Sequence, residues 1–412
     1  MRVLFINPGG HANGGAERSL AELTSGLVER GHDVHVALMA RGDLATVLRD
    51  RGATITGVVA DELQVAPRHA NLGRFVTGAV AAAPRIAGIV RGLRRAIDST
   101  QPDVIHSNGF RSHVLSPALA PGSPPIVWSL RDRAPRQLHR SLLKATSHAA
   151  AAIVANSEFT AAQMKHGAMH VVANPVSPVE TVDRATARDA LGIDAHRHVV
   201  AVLAHLHPSK GHDVMVEALA RWNADERPVL AIAGGQLYPG SAEYEAELRA
   251  TADRLGVADD IRWLGSVKDV TELYSASDVI VHPCRHPEGF GRVVIEAQSA
   301  RVPIVATDLG GVASLIRHDD TGMLVPPDDV TALHGAVDDV LWPGPRRTRL
   351  VERGLAASGN FGRAPHTLAV ENVYRSVLGL PSVTAPASAA APDTPSPTIT
   401  SSEPAAEHAP SS

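Results

Sequence analysis

The chain has 412 residues, 44% hydrophobic and 20% charged, a globular composition that excludes a fibrous or wholly disordered protein and, at roughly 100–200 residues per domain, predicts about two domains. With 39 basic and 43 acidic residues the net charge is −4, so no basic field marks a nucleic-acid binder, and the single Cys284 excludes a disulfide framework or a multi-cysteine zinc site. The apolar run at 3–6 stops at Pro8, short of the roughly 7–15 residues of a signal-peptide core, and no run is long enough to span a bilayer; the expected location is the cytoplasm.

The first half repeats one pattern: an apolar run, a turn, then a helical stretch. The run 3–6 ends in the glycine loop 9–15. Leu20, Leu23 and Leu27 then recur at helical spacing until Gly31. Further strands are expected at 34–38, 103–106, 126–129, 153–155 and 171–172, with Ala-rich helical segments between them. In the stretch 85–95, Arg91, Arg94 and Arg95 alternate with Ile86, Ile89, Val90 and Leu93. The favoured reading is an amphipathic helix packed on the sheet; the other is weak peripheral contact with the inner face of an anionic membrane. Between 175 and 198 the pattern lapses into Pro-rich, charged sequence. It restarts at 199–203 and continues at 229–233, 261–264, 278–282 and 304–307. A last helical stretch at 367–378 follows a break at Pro365 and could join either half. The 32 residues 381–412 carry seven prolines and neither Leu nor aromatics, so a disordered tail is expected.

Strands alternating with helices predict an α/β protein of two doubly wound parallel sheets: residues 1–175, residues 176–365, a helix at 366–380 and the tail. Ligands of such sheets bind outside the carboxyl ends of the strands, so the loops after strands are where chemistry is sought.

The most informative loop follows the strand ending at His282: Pro287-Glu288-Gly289-Phe290-Gly291-Arg292, then Val293-Val294-Ile295-Glu296. Its glycines allow a tight turn, and a helix starting at about Arg292 offers free N–H groups and a positive end to an anion. Glu288 in the loop and Glu296 one turn inside the helix are suited to accepting hydrogen bonds from sugar hydroxyls, although two solvated glutamates beside a capped helix would read the same way. The second loop, Ala204-His205-Leu206-His207-Pro208-Ser209-Lys210-Gly211, places Lys210 before a helix, where it can meet a diphosphate or simply face solvent. In the first half, Asn13-Gly14-Gly15-Ala16-Glu17 follows the first strand, and His106 ends a later one and is expected at the same cleft edge. The chain carries no G-x-G-x-x-G after its first strand, no P-loop, no G-x-S-x-G and no H-E-x-x-H, which counts against a dinucleotide oxidoreductase, a P-loop NTPase, an α/β-hydrolase and a zincin.

Together these segments resemble glycosyltransferase family 4, a retaining family of the GT-B fold, over residues 1 to about 380. The carriers are the E-x₇-E pattern from Glu288 to Glu296, Gly-Gly-Ala-Glu-Arg-Ser-Leu at 14–20, Leu-His-Pro-Ser-Lys-Gly at 206–211 and Pro-Ile-Val-Ala-Thr-Asp-Leu-Gly-Gly at 303–311, in matching order and spacing. The resemblance implies a hexosyltransferase-type enzyme that moves a sugar from a nucleotide-diphosphate sugar to a hydroxyl acceptor (a sugar, a small molecule or a lipid-linked glycan). It implies Glu296 on the donor ribose, Lys210 and His205 at the diphosphate, and Glu288 with Phe290, Gly291 and Arg292 around the sugar and phosphate. Gly265, Ser266 and Val267 would flank the base. His106 would lie beside donor sugar and acceptor, with Glu288 and Lys210 completing the catalytic set. Gly14, Gly15 and Glu17 would approach the donor phosphate or the acceptor, and the last helix would cross back to the first domain. Three positions depart from the pattern: His205 for Arg, Arg301 for Gly and Ser314 for Glu, the first removing a fixed cation from the expected diphosphate site. No D-x-D set stands out at a cleft loop, so no metal and no cofactor beyond the donor are expected. An epimerase or phosphorylase on the same fold, or a non-catalytic binding protein on a degenerate frame, are the competing readings.

Overall fold

The computed structural model describes residues 1–12, 14–58, 72–134, 137–267 and 269–384. Two parallel sheets organise it. The first contains β1 (Arg2–Asn7), β2 (Asp33–Leu38), β3 (Thr54–Val58), β4 (Val104–Asn108), β5 (Ile126–Leu130), β6 (Ala152–Ala155) and β7 (Met169–Val171), in the order β3-β2-β1-β4-β5-β6-β7. The second contains β8 (Val199–Leu203), β9 (Val229–Ala233), β10 (Ile261–Gly265), β11 (Val279–His282), β12 (Ile304–Thr307) and β13 (Met323–Val325), in the order β10-β9-β8-β11-β12-β13.

Both orders reverse direction beside the first strand of their half, and every pairing is parallel, so each half has its loops gathered at one edge. Strands buried on both faces must be apolar throughout, which is why β8, β9 and β12 read as short unbroken runs of Val, Ile, Leu and Ala, with Thr307 ending the last. Each sheet is covered by a separate apolar core on either face.

Five helices frame the site and the joint between the halves: α1 (Gly15–Glu29), α2 (Leu72–Thr100), α3 (His212–Leu219), α4 (Arg292–Ser299) and α5 (Arg363–Val377). Helix α2 places Ile89, Leu93 and Ile97 in the core with Leu4, Ile6 and Ile105, while Arg91 and Arg95 stay exposed. Its apolar face over 89–97 is therefore consumed by the fold, as the packed-helix reading expects. Among the described residues no helix is long and apolar enough to cross a membrane.

Helix α5 corrects the break expected at Pro365. The proline lies in the first turn, where an amide N–H has no helical partner to lose. The helix returns to the first domain: Val370, Val373 and Tyr374 are buried with Leu20, Leu23 and Leu27 of α1. Arg30, just past α1, pairs with the buried Glu371, and His32 lies 3.5 Å from the same carboxylate.

The expected tail begins differently from its composition. Val383 exchanges two hydrogen bonds with the Asn372 side chain, at 2.8 and 3.0 Å, and Arg375 bonds the Pro381 carbonyl at 2.5 Å. The rest of the segment expected to be disordered, 385–412, lies outside the described residues.

Candidate functional site

The two sheets bring their carboxyl edges together. Ser157, after β6, donates its hydroxyl to the Gly289 carbonyl at 2.6 Å, and Arg292 donates to the Pro175 carbonyl at 2.8 Å. Gly289 permits this contact, because a Cβ there would stand 2.3 Å from the Arg131 carbonyl oxygen. The cleft expected from sequence is thus lined by the loops after β8 and β11 on one side and by the loops after β1 and β5 on the other.

On the second domain, Lys210 closes a short 3₁₀ turn (Pro208–Lys210) and Gly211 follows with φ +68°. A Cβ on Gly211 would sit 1.9 Å from the Pro283 carbonyl oxygen, so only glycine lets this turn lie against the loop that leaves β11. The approach puts the Lys210 ammonium directly on Oε1 of Glu288, with both side chains about one-fifth exposed. Oε2 of Glu288 lies 3.0 Å from Nε2 of His282, whose ring is buried and neutral: burial, then the nearby Lys210 charge, depress its pKa to about 3.

Helix α4 starts at Arg292 with Gly291 as its N-cap. Glu296, mostly buried, accepts from the Tyr274 hydroxyl at 3.0 Å and lies 3.4 Å from Arg292, so the carboxylate is held in place from two sides. Burial and then the Glu296 charge push the Tyr274 phenol well above its ordinary range, so it remains a donor. Phe290 turns into the core against Phe361 and leaves its backbone beside the loop. His205, after β8, is half-buried with its ring edge-on to Tyr238; burial, then Lys210, then Arg18 lower its pKa. Gly265, Ser266 and Val267 leave β10 at the same edge, where the Gly265 carbonyl accepts from the Gly234 amide at 2.8 Å.

On the first domain, Gly14 caps α1 and Gly15 opens it. A Cβ on Gly15 would lie 3.5 Å from Cδ of Arg292, which places this loop against the N-terminus of α4. The Glu17 carboxylate folds back over Gly14 and Gly9.

His106 does not reach this cleft. Strand β4 runs two residues beyond it, to Asn108, and the ring is fully buried beside Phe5. Its nitrogens are both taken, Nδ1 by the Tyr374 hydroxyl at 2.5 Å and Nε2 by the Ser129 hydroxyl at 2.7 Å. Burial holds its pKa far below the ordinary value. It ties α5 to the first sheet, and a direct part beside donor and acceptor is excluded by its enclosure.

Sequence patterns do not reveal a polar floor at the edge of the first sheet. Asn7 and Asn108 end β1 and β4 and are joined at 2.6 Å, and Arg131, just after β5, donates to Asn108 at 3.1 Å and to Asn174 at 2.5 Å. Burial lowers the Arg131 pKa to about 10, which leaves it cationic at neutral pH. No carboxylate lies within ion-pair distance of it among the described residues. Its position directly after an expected strand is the one signal the sequence offers.

Two parallel doubly wound domains, with loops meeting at their carboxyl edges and a last helix returning to the first, define the GT-B architecture. The match to Anabaena HepE solved with UDP has a TM-score of 0.77 at 24% identity and covers 91% of this chain and all of that one. The match to the lipopolysaccharide glycosyltransferase WaaG has a TM-score of 0.61 at 18% identity, with 92% and 100% covered.

The family described as Glycosyltransferase Family 4 matches residues 13–180, and that described as Glycosyl transferases group 1 matches residues 183–356. A D-inositol 3-phosphate glycosyltransferase of Acidothermus cellulolyticus is 30% identical over 90% of this chain and 87% of its own length. A lipopolysaccharide core biosynthesis mannosyltransferase of Rhizobium meliloti is 30% identical over 48% of this chain and 56% of its own. This chain belongs to glycosyltransferase family 4.

Proposed function

We propose that this enzyme transfers a sugar from a nucleotide-diphosphate sugar to a hydroxyl of its acceptor, with retention of configuration and without a catalytic metal, in the cytoplasm. The observation that carries the reading is the Lys210–Glu288 pair set at the N-terminal end of α4, across from Gly15. An ammonium and a helix N-terminus converge where a departing diphosphate needs positive charge, and a carboxylate stands beside them for sugar hydroxyls. Glu296, fixed by Tyr274 and Arg292, is placed to accept from a ribose. The relatives named for D-inositol 3-phosphate and for lipopolysaccharide core synthesis support a hydroxyl-bearing acceptor, and Arg131 supplies a cation on the first domain's side of the cleft.

A panel of UDP, GDP, ADP, TDP and CDP sugars, screened by thermal shift and then by calorimetry, tests this. One class of donor is expected to bind. Glu296→Ala should weaken it by about 1.5–3 kcal/mol, or roughly 10- to 150-fold in Kd. Lys210→Ala should lower kcat more than it raises KM. No binding across the panel, or a donor Kd indifferent to Glu296→Ala, refutes the placement.

A further inference from the structure

Behind the Lys210–Glu288 pair lie two side chains that sugar transfer does not use. His282 ends β11, and Cys284, two residues on, is buried with a free thiol. Nε2 of His282 stands 3.2 Å from Sγ of Cys284 and 3.0 Å from Oε2 of Glu288, and Sγ stands 3.5 Å from Oε1 of Glu288. A tetrahedral zinc ion with bonds of about 2.0–2.3 Å holds its ligand atoms about 3.3–3.8 Å apart. Each of these separations is within a few tenths of an ångström of that spacing, with Oε2 of the carboxylate facing the nitrogen and Oε1 facing the sulfur, and one donor atom from each of the three side chains lies within 4.8 Å of the others.

The donor set is selective. One imidazole nitrogen, one sulfur and one carboxylate oxygen suit zinc and other thiophilic cations, whereas magnesium and calcium take oxygen. Its location also has a direct consequence for the site already described, because Glu288 belongs to both. In the free protein the Lys210 ammonium is the cation held by that carboxylate.

We propose that His282, Cys284 and Glu288 form a reversible site for zinc or a similar thiophilic divalent cation, and that its occupancy blocks sugar transfer by taking Glu288 from the donor sugar and releasing Lys210. On binding, the thiol proton passes to solvent as the sulfur–metal bond forms. The imidazole lone pair at Nε2 becomes the nitrogen ligand, with the ring proton on Nδ1. That Nδ1 is buried without a hydrogen-bond partner among the described residues. Histidines at tight metal sites have such a partner, and its loss typically weakens binding 10- to 100-fold. The site is thus built for regulation by a weakly held ion rather than for a permanent structural one. The metal site stands on its own geometry, while its effect on transfer rests on the donor reading above.

Titration of the metal-free, full-length protein with cobalt(II) tests the site directly. One cobalt per chain is expected, with a thiolate-to-metal charge-transfer absorption in the near ultraviolet that zinc(II) abolishes by displacement. Cys284→Ser and Cys284→Ala should both lose that absorption and weaken zinc binding on the order of tenfold or more. Zinc should inhibit transfer by the wild type reversibly, with EDTA restoring the rate. Cys284→Ser should keep the metal-free rate and resist zinc. Cobalt binding with no charge-transfer band, or a band that survives both substitutions, overturns the site. A normal band together with a transfer rate indifferent to zinc overturns the blocking role. If no donor binds at all, the donor reading fails, and the cobalt spectrum still decides the metal site.

Discussion

Replacing Gly289 by Ala tests the contact that holds the two domains together. The added Cβ would lie 2.3 Å from the Arg131 carbonyl oxygen and 3.3 Å from Oγ1 of Thr160. Carbon–oxygen contacts normally close to about 3.3–3.6 Å, so the two loops must separate by about 1 Å. That movement also stretches the 2.6 Å bond from Ser157 to the Gly289 carbonyl. Overpacking of this kind costs about 1–3 kcal/mol and the lost hydrogen bond about 1 kcal/mol. The sum, about 2–4 kcal/mol, lowers the population of the abutting arrangement roughly 30- to 1,000-fold relative to open ones. Small-angle scattering should report a larger radius of gyration, and fluorescence transfer between labels on the two domains should fall. The unfolding of each domain should be unchanged, since the new methyl enters neither core. Donor turnover should drop in parallel with the lost arrangement. Gly335→Ala is the control: it has nothing within 4 Å of its Cβ and sits inside a helix, so it should stabilise by about 0.5–1 kcal/mol. A Gly289→Ala protein with the wild-type scattering profile and rate would refute the role of this contact.

In the free protein His205 is neutral at pH 7, because burial, Lys210 and Arg18 all lower its pKa; a bound diphosphate acts in the opposite direction. Donor affinity should therefore weaken as the pH rises through the value in the complex, and His205→Arg should flatten a Kd series measured over roughly pH 5 to 8; coincident curves for wild type and His205→Ala would remove His205 from the donor site. His113, His282 and His366 have pKa values lowered to about 3, chiefly by burial, so the unfolded chain binds more protons below pH ~6.5 and the folded state should lose stability as the pH falls below that value. Urea titrations between pH 7 and pH 5 measure this, and a flat profile would mean these rings are solvated. Burial alone would raise the Glu371 carboxyl, but Arg30 and His32 outweigh it and hold it below its ordinary value, so its contribution is present above the ordinary carboxylate pKa and lost as pH falls through the lowered one. Glu371→Gln should cost about 1.5–3 kcal/mol at pH 7, seen by calorimetry as a lower Tm; an unchanged Tm would mean Arg30 finds another partner.

Central strands are readable in the sequence because burial on both faces leaves only apolar residues. The two strands without such a signal, β3 and β13, each lie at one edge of their sheet. At an edge, Thr54-Ile-Thr-Gly-Val58 can be mixed in polarity and Met323–Val325 only three residues long, so neither makes an apolar run. The loop motifs are legible because they encode local turns beside strand ends. His106 is misplaced by sequence for the opposite reason: its partner Tyr374 lies 268 residues away, and no local pattern announces that a histidine will be enclosed from such a distance. Beyond its place just past a strand Arg131 has no sequence signal, because its anchors Asn108 and Asn174 come from the end of β4 and from a loop 43 residues on. Cys284 reads as a bare cysteine until the fold sets His282 and Glu288 beside it.

The return of α5 also governs the order in which this protein can be made. The chain leaves the ribosome from its N-terminus, yet α5 begins at Arg363, after every strand of the second sheet has emerged. Until then Leu20, Leu23 and Leu27 lack the cover of Val370, Val373 and Tyr374, and His106 lacks the hydroxyl that occupies Nδ1. The first half to be synthesised is thus the last to be completed. During translation it waits as a sheet with an uncovered apolar flank, in a state that chaperones recognise. A fragment ending near residue 180 would keep that flank for good. Such a fragment supplied with a separate α5 peptide should regain solubility, because the missing piece of its core is one contiguous helix.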